Sequence, residues 1–138
     1  MVRVLATGTF DILHPGHLRY LSEARSLGDE LYVIVARDSM IKHKLKPVVP
    51  EEQRLAMVYG LRMVDKAMLG SEKDIFEPLR KIMPDIIALG QNQFFKESDL
   101  EKQLRDHGIG AKVVRIESFD KCELCSSAAI IRKIQQRT

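Results

Sequence analysis

The stretch that decides the fold is ATGTFDILHPGH, residues 6–17, in which a short apolar run gives way to a glycine and then to two histidines three residues apart. The run VRVLA before it predicts a strand, and Gly8 allows a tight turn after that strand. Pro15 suits the first turn of a helix, because a proline there loses no hydrogen bond. We therefore predict that a strand passes into a helix here, with His14 and His17 at the helix entrance.

The same alternation of strand and helix continues along the chain. Apolar runs predict five strands, at residues 2–6, 30–36, 66–70, 85–90 and 111–117. Amphipathic helical patterns separate them, and the third helix either starts near Pro78 or is kinked there. This order predicts an α/β fold with a five-stranded parallel sheet and helices on both faces. In such folds ligands bind outside the carboxyl ends of the strands.

Length and composition limit the function. A chain of 138 residues with 45% hydrophobic content predicts a single domain over residues 1–138. The net charge of +3 is spread along the chain, which does not favour nucleic acid as a partner. No run approaches the roughly twenty apolar residues of a membrane span, and the apolar start before Gly8 is too short for a signal peptide. We therefore expect a cytoplasmic protein without a membrane partner.

The two histidines at the predicted helix entrance indicate a phosphate site. Unpaired backbone N–H groups and the positive end of the helix dipole attract anions there. The same dipole disfavours an imidazolium, so we expect His14 and His17 to be neutral hydrogen-bond donors. In the alternative interpretation one histidine packs locally and the other is solvated. The small and hydroxyl residues Thr7, Gly8 and Thr9 just before them favour the phosphate site.

The spacing of Cys122 and Cys125, C-x-x-C, raises the possibility of zinc or redox chemistry. Two thiols supply only half of a tetrahedral zinc site. The pair also does not open the helix after the first strand, as a thioredoxin-like motif would. Two cysteines make no disulfide framework, so we expect ordinary small apolar side chains, with a structural or regulatory thiol pair as the alternative.

The pattern G-T-F-D-x-x-H-x-G-H, unbroken over residues 8–17, resembles the signature of the cytidylyltransferase-like nucleotidyltransferases. The resemblance implies a Rossmann-like three-layer sandwich of the HUP type, a homodimer, and transfer of a nucleoside monophosphate from a triphosphate to a phosphate-bearing acceptor. The segments VARD, VVPEEQR, VDKAMLGS and PDIIALG look most like the archaeal FAD synthases, which use ATP to adenylylate FMN. Glycerol-3-phosphate cytidylyltransferases share the opening motif and are the alternative, followed by a nucleotide sensor without catalysis.

The resemblance also implies a set of site residues. The catalytic residues would be His14, His17 and Lys46, with both histidines donating to phosphate oxygens. The nucleotide would be held by these histidines and by Thr9, Phe10, Asp11, Gly90, Asn92, Ser126 and Ser127. Phosphates would be bound by Lys42, Lys44, Lys46, Arg54 and Lys121. The expected divalent ion is Mg²⁺, which the phosphates themselves would hold for the most part.

Alternatives remain for several of these residues. At least one of Lys42, Lys44 and Lys46 fits a solvated basic loop. Ser126 and Ser127 also fit plain helix caps. Lys121 stands where the family carries an arginine, and Asn92 where related loops carry an acidic residue. Candidates for contact with a flavin ring are Tyr59, Phe94 and Phe95.

Overall fold

Five strands alternate with five helices in the computed structural model, which describes residues 1–42, 45–90, 93, 96–117 and 122–137. The strands are β1 (Arg3–Gly8), β2 (Glu30–Val35), β3 (Lys66–Leu69), β4 (Ile86–Leu89) and β5 (Lys112–Arg115). The helices are α1 (Pro15–Ser26), α2 (Glu51–Tyr59), α3 (Glu77–Ile82), α4 (Glu97–Asp106) and α5 (Ser127–Gln135), with a 3₁₀ turn at Asp38–Met40.

The strands form one parallel sheet in the order β3-β2-β1-β4-β5, which confirms the predicted α/β class. The chain first winds outward from β1 through β2 to β3, and then returns to β1 and winds the other way through β4 and β5. The winding therefore reverses between β1 and β4. At such a switch point the connecting loops separate, and a crevice opens at the carboxyl ends of the two strands.

The core occupies both faces of the sheet, as predicted for a sheet with helices on each side. Successive side chains of a strand point to opposite faces. Val4 and Ala6 accordingly pack in one cluster with Leu21 of α1, whereas Leu5 packs in the other cluster with Leu104 of α4. All five side chains are fully buried, and burying a leucine contributes about 1.5–3 kcal/mol. The loops that follow the strands are thus built on a rigid sheet.

The structure settles two local questions that the sequence raised, one at Pro78 and one at the cysteine pair. Helix α3 begins immediately before Pro78, which lies in its first turn. The structure therefore confirms that the helix starts near Pro78 and does not contain it as a kink. Cys122 and Cys125 form a disulfide, with Cα atoms 5.2 Å apart. The expectation of two small apolar core residues was wrong, because the segment before α5 leaves Cys122 exposed and brings the two residues within bonding range.

None of the helices in the described parts of the chain combines the length and the apolar character needed to cross a membrane.

Candidate active site

The loop that follows β1 takes its shape from a phenylalanine and not from the glycine that the sequence singles out. Phe10 has a φ of 54°, in the left-handed region that side-chain-bearing residues rarely adopt. Its ring is buried and folds back over Gly8. A Cβ atom added to Gly8 would lie 2.9 Å from the ring. Gly8 is therefore required for close packing, and the turn itself is made by Phe10.

The ring of His14 caps helix α1, and the ring of His17 lies beside it. Nδ1 of His14 accepts a hydrogen bond from the Gly16 N–H at 3.0 Å, and Nδ1 of His17 accepts one from the His14 N–H at 3.3 Å. The two ring centroids are 3.8 Å apart. A backbone N–H can only donate, so both Nδ1 atoms act as acceptors and carry no proton. Each neutral ring therefore carries its proton on Nε2.

Both histidines are held in the neutral form. Burial lowers the pKa of His14 below its ordinary value. Burial also lowers the pKa of His17 to about 4, reinforced by the neighbouring His14 and partly opposed by the charge of Asp11. Both pKa values are lowered, which agrees with the prediction that the two histidines are neutral. Protonation of Nδ1 would in addition break the backbone hydrogen bonds that the two rings accept.

Gly16, between the two histidines, allows the His14 ring to fold back onto the helix. A Cβ atom at this position would lie 2.7 Å from Cε1 of His14 and 3.3 Å from the carbonyl oxygen of Cys125. Both distances are shorter than an ordinary carbon contact. A side chain at position 16 would therefore displace the ring and the segment that leads into α5.

The entrance of α5 is attached to the loop after β1. The Ser126 hydroxyl accepts from the Ala129 N–H at 3.0 Å, which makes Ser126 the N-cap of the helix. The Ser127 hydroxyl donates to the Ile12 carbonyl at 3.0 Å and accepts from the Ile12 N–H at 3.3 Å. The structure thus brings both predicted serines beside the histidine loop, with the cap interpretation correct for Ser126.

Asp11 fixes a second loop across the sheet. Its carboxylate oxygens accept from the N–H groups of Val48 at 3.0 Å and Val49 at 2.9 Å. These two residues come just before α2 and just after Lys46. The predicted nucleotide ligand Asp11 therefore positions the lysine segment relative to the histidines.

Arg54 does not present its charge to a ligand, and here the structure corrects the sequence prediction. Its side chain has 0% exposed area. The guanidinium donates to the carbonyl oxygens of Val49, Thr9 and Ala36 at 2.9, 2.7 and 2.8 Å, and it pairs with the Asp38 carboxylate. Since these bonds span the loops after β1 and β2, Arg54 is a positioning residue instead of a phosphate ligand.

Lys46 is exposed, and its ammonium donates to the carbonyl oxygens of Asp38 at 2.7 Å and Ile41 at 2.9 Å. An ammonium group has three donors, so these bonds leave one donor for a ligand. Lys42 is also exposed. Lys44, Asn92, Phe94, Phe95 and Lys121 lie outside the described residues.

Tyr59, one of the candidates for contact with a flavin ring, is not brought together with the histidines. It is the last residue of α2, which leads back to the start of β3. Helices that connect parallel strands run opposite to those strands. Tyr59 therefore lies at the amino edge of the sheet, whereas the histidines follow the carboxyl end of β1.

Two residues that shape the loop after β4 were not predicted from the sequence. The Gln93 side chain accepts from the Gly90 N–H at 2.7 Å and donates to the Thr7 hydroxyl at 3.1 Å. Arg115 donates to the carbonyl oxygens of Gly90 at 2.9 Å and Gln93 at 2.8 Å, and it pairs with Glu97. The available signal was the place of Arg115 at the carboxyl end of the last strand. These bonds bring Gly90 to the crevice between β1 and β4.

The donor set in this crevice suits an anion better than a bare metal ion. Within the described residues, no three His, Cys, Asp or Glu side chains are grouped so that they could hold a metal. Both oxygens of Asp11 already accept backbone N–H groups. A divalent ion brought with a nucleotide would therefore take most of its oxygen ligands from the phosphates.

Comparisons with known proteins found one family model and several similar relatives and structures. The model of the cytidylyltransferase-like family matches residues 5–133. FAD synthase from Methanococcoides burtonii is 64% identical over 137 residues, covering 99% of this chain and 96% of the relative. FAD synthase from Archaeoglobus profundus is 58% identical, covering 97% and 86%. A crystal structure described as a lipopolysaccharide core biosynthesis protein from Thermoplasma volcanium is 47% identical, with a TM-score of 0.83, covering 87% of this chain and 99% of that one.

Proposed function

Because this chain belongs to the cytidylyltransferase-like family, we propose that it is a nucleotidyltransferase that transfers AMP from ATP to FMN and forms FAD. Full-length similarity to FAD synthases, at 58% identity or more, supports this activity. An oxygen of the FMN phosphate attacks the α-phosphorus of ATP and forms a new P–O bond. The bond from that phosphorus to the β-phosphate oxygen breaks, and pyrophosphate leaves.

The observation that carries the proposal is the pair of Nε2–H donors at the entrance of α1. The attacking FMN phosphate is mostly ionised at neutral pH, since the second pKa of a phosphate monoester is about 6. The reaction therefore needs no general base, and catalysis depends on positioning and on stabilising negative charge. Neutral rings whose Nδ1 atoms are fixed by backbone N–H groups present such donors without rearrangement.

The other residues then have distinct roles. The loop with Thr9 and Phe10 would hold the triphosphate, together with the entrance of α5. Lys46 would bind the phosphate of FMN or the departing pyrophosphate through its remaining donor. Gly90 would contact the nucleoside from the loop after β4. Mg²⁺, when bound with ATP, would neutralise charge on the phosphates.

The direct test is to incubate the purified protein with ATP or CTP, each combined with FMN or glycerol 3-phosphate, and to measure pyrophosphate and products. We expect FAD and pyrophosphate in equal amounts from ATP and FMN. CDP-glycerol from CTP and glycerol 3-phosphate, with no FAD, would instead assign the chain to the cytidylyltransferases that share its opening motif. Nucleotide binding with no product from any pair would indicate a sensor.

A further inference from the structure

A cavity of about 500 Å³ lies beside the carboxyl end of β3, away from the histidine pair. Its lining includes the apolar residues Met68, Leu69 and Pro78 and the basic residues Arg37, Lys73 and Lys81. Small-molecule sites occupy about 300–1,000 Å³ and combine an apolar lining with a few polar groups. This lining is more polar than usual, because six of its ten residues are charged or carry a hydroxyl. The cavity therefore has the size and lining of a site for a flat, partly polar organic group.

The position of the cavity is informative because the sheet order separates the two substrates. The crevice between β1 and β4 is the nucleotide side, according to the reversal of winding there. The cavity lies on the other side of β1, at the end of the edge strand β3. Neighbouring strands are about 4.8 Å apart, so the ends of β1 and β3 are separated by about 10 Å. A five-carbon polyol with a terminal phosphate can bridge a gap of this size.

We propose that this cavity binds the isoalloxazine ring of FMN, an inference that rests on the proposed function. The ribityl chain would cross the end of β2, and the phosphate would reach the region between Lys46 and the histidines. Lys46 supports this path, since its ammonium is bonded to two carbonyl oxygens of the segment that follows β2.

The lining contains chemical partners for both sides of the ring. The dimethylbenzene side of isoalloxazine is apolar and would contact Met68 and Pro78. The pyrimidine side carries carbonyl oxygens and nitrogens that accept hydrogen bonds, and the ammonium groups of Lys73 and Lys81 are donors.

Two acidic residues also line the cavity, and each has a partner. Glu72 accepts from the Ser39 hydroxyl at 2.6 Å, and Glu77 pairs with Lys81 at 3.5 Å. Arg37 is paired as well, since its guanidinium contacts the Glu51 carboxylate at 3.1 Å and donates to the Gly70 carbonyl at 2.6 Å. The ammonium groups of Lys73 and Lys81 are therefore the donors that the lining offers to the carbonyl edge of the ring.

Filling the cavity tests the assignment. Ser71→Phe places a ring in the lining, whereas Ser98→Phe places the same ring on the exposed surface of α4 and is the matched control. We expect Ser71→Phe to raise the KM for FMN by about tenfold or more, and to change the KM for ATP by less than about twofold. Ser98→Phe should leave both unchanged. Melting curves establish that each variant is folded.

A second pair of variants removes charge without adding bulk. Lys81→Ala in the cavity should raise the KM for FMN by about threefold, and Lys133→Ala on α5 should not. Both lysines are at least half exposed and form surface ion pairs, so neither change should unfold the protein.

The outcomes separate the two proposals. A wild-type protein that makes no FAD contradicts the proposed function. A wild-type protein that makes FAD, with an unchanged KM for FMN in both Ser71→Phe and Lys81→Ala, overturns only the assignment of the cavity. Quenching of FMN fluorescence by the wild-type protein, lost in Ser71→Phe and kept in Ser98→Phe, supports the assignment without relying on turnover.

Discussion

Replacing His17 with asparagine or with glutamine separates the roles of its two ring nitrogens. The Oδ1 atom of asparagine can take the place of Nδ1 and accept from the His14 N–H, but asparagine is too short to replace Nε2–H. Glutamine reaches further, and its amide N–H lies near the position of Nε2. If the Nε2 proton stabilises charge on the reacting phosphate, His17→Gln should keep more activity than His17→Asn.

The catalytic effect and the effect on stability differ in size. Removing one preorganised donor to a developing oxyanion costs about 2.7–4 kcal/mol, or about 10²–10³ in kcat. The hydrogen bond to Nδ1 is long, at 3.3 Å, so its loss should destabilise the fold by no more than about 1 kcal/mol. We therefore expect His17→Asn to lose at least about a hundredfold in kcat, with a small change in the free energy of unfolding. The loss in His17→Gln should be roughly tenfold smaller.

The assay measures FAD formation with ATP and FMN both saturating, alongside thermal unfolding with and without ATP. A ligand that binds only the folded state raises the melting temperature, so the shift produced by ATP reports nucleotide binding in each variant. We expect this shift to persist in His17→Asn. If His17→Asn keeps more than about a third of the wild-type kcat, the Nε2 proton is not used in the reaction and the reasoning fails.

Three further predictions follow from the same contacts. Gly16→Ala places a Cβ atom 2.7 Å from Cε1 of His14, so kcat should fall by about tenfold or more in steady-state assays while circular dichroism shows a folded helix. Arg54→Met leaves three carbonyl oxygens without their buried donor and should reduce the free energy of unfolding in urea by about 3–5 kcal/mol, because uncompensated buried groups are costly. The pKa of His17 is about 4 in the folded chain and 6.5 in the unfolded chain, so the folded chain binds this proton less readily. The contribution of His17 to the free energy of unfolding should therefore be constant above pH 6.5. It should fall by up to about 3 kcal/mol as the pH drops from 6.5 to 4. A urea titration series checks this, and an equal fall in His17→Asn would contradict it.

Short-range features of this fold could be predicted from the sequence. The five strands, the parallel sheet and the strand-to-helix passage before Pro15 depend on periodicity and on neighbours within a few residues. The paired histidines belong to this class, because their mutual contacts span only two or three positions. Their neutral state was expected from the helix dipole, whereas in the structure burial is the main cause that lowers both pKa values.

Long-range contacts could not be predicted in the same way. The family resemblance implied ligand contacts for Asp11 and Arg54. In the structure Asp11 accepts from backbone N–H groups 37 and 38 positions away, and Arg54 donates to carbonyl oxygens as far as 45 positions away. Which loops meet depends on the strand order, and apolar periodicity does not determine that order. Gln93 and Arg115 were missed for the same reason, since they meet only because β4 and β5 are neighbours.

The hydrogen-bond partners of Lys46 bear on how the site would stabilise a phosphate. Lys46 is held by two neutral carbonyl oxygens rather than by a carboxylate. Neutral partners fix the position of an ammonium group without cancelling its charge, so the positive charge of Lys46 would remain available to an anion. The histidines differ from Lys46, because they offer fixed N–H donors and carry no net charge. In the proposed reaction the charge of Lys46 and the hydrogen bonds of His14 and His17 would both be in place before the substrates bind, and little reorganisation would be needed as negative charge builds on the transferred phosphate.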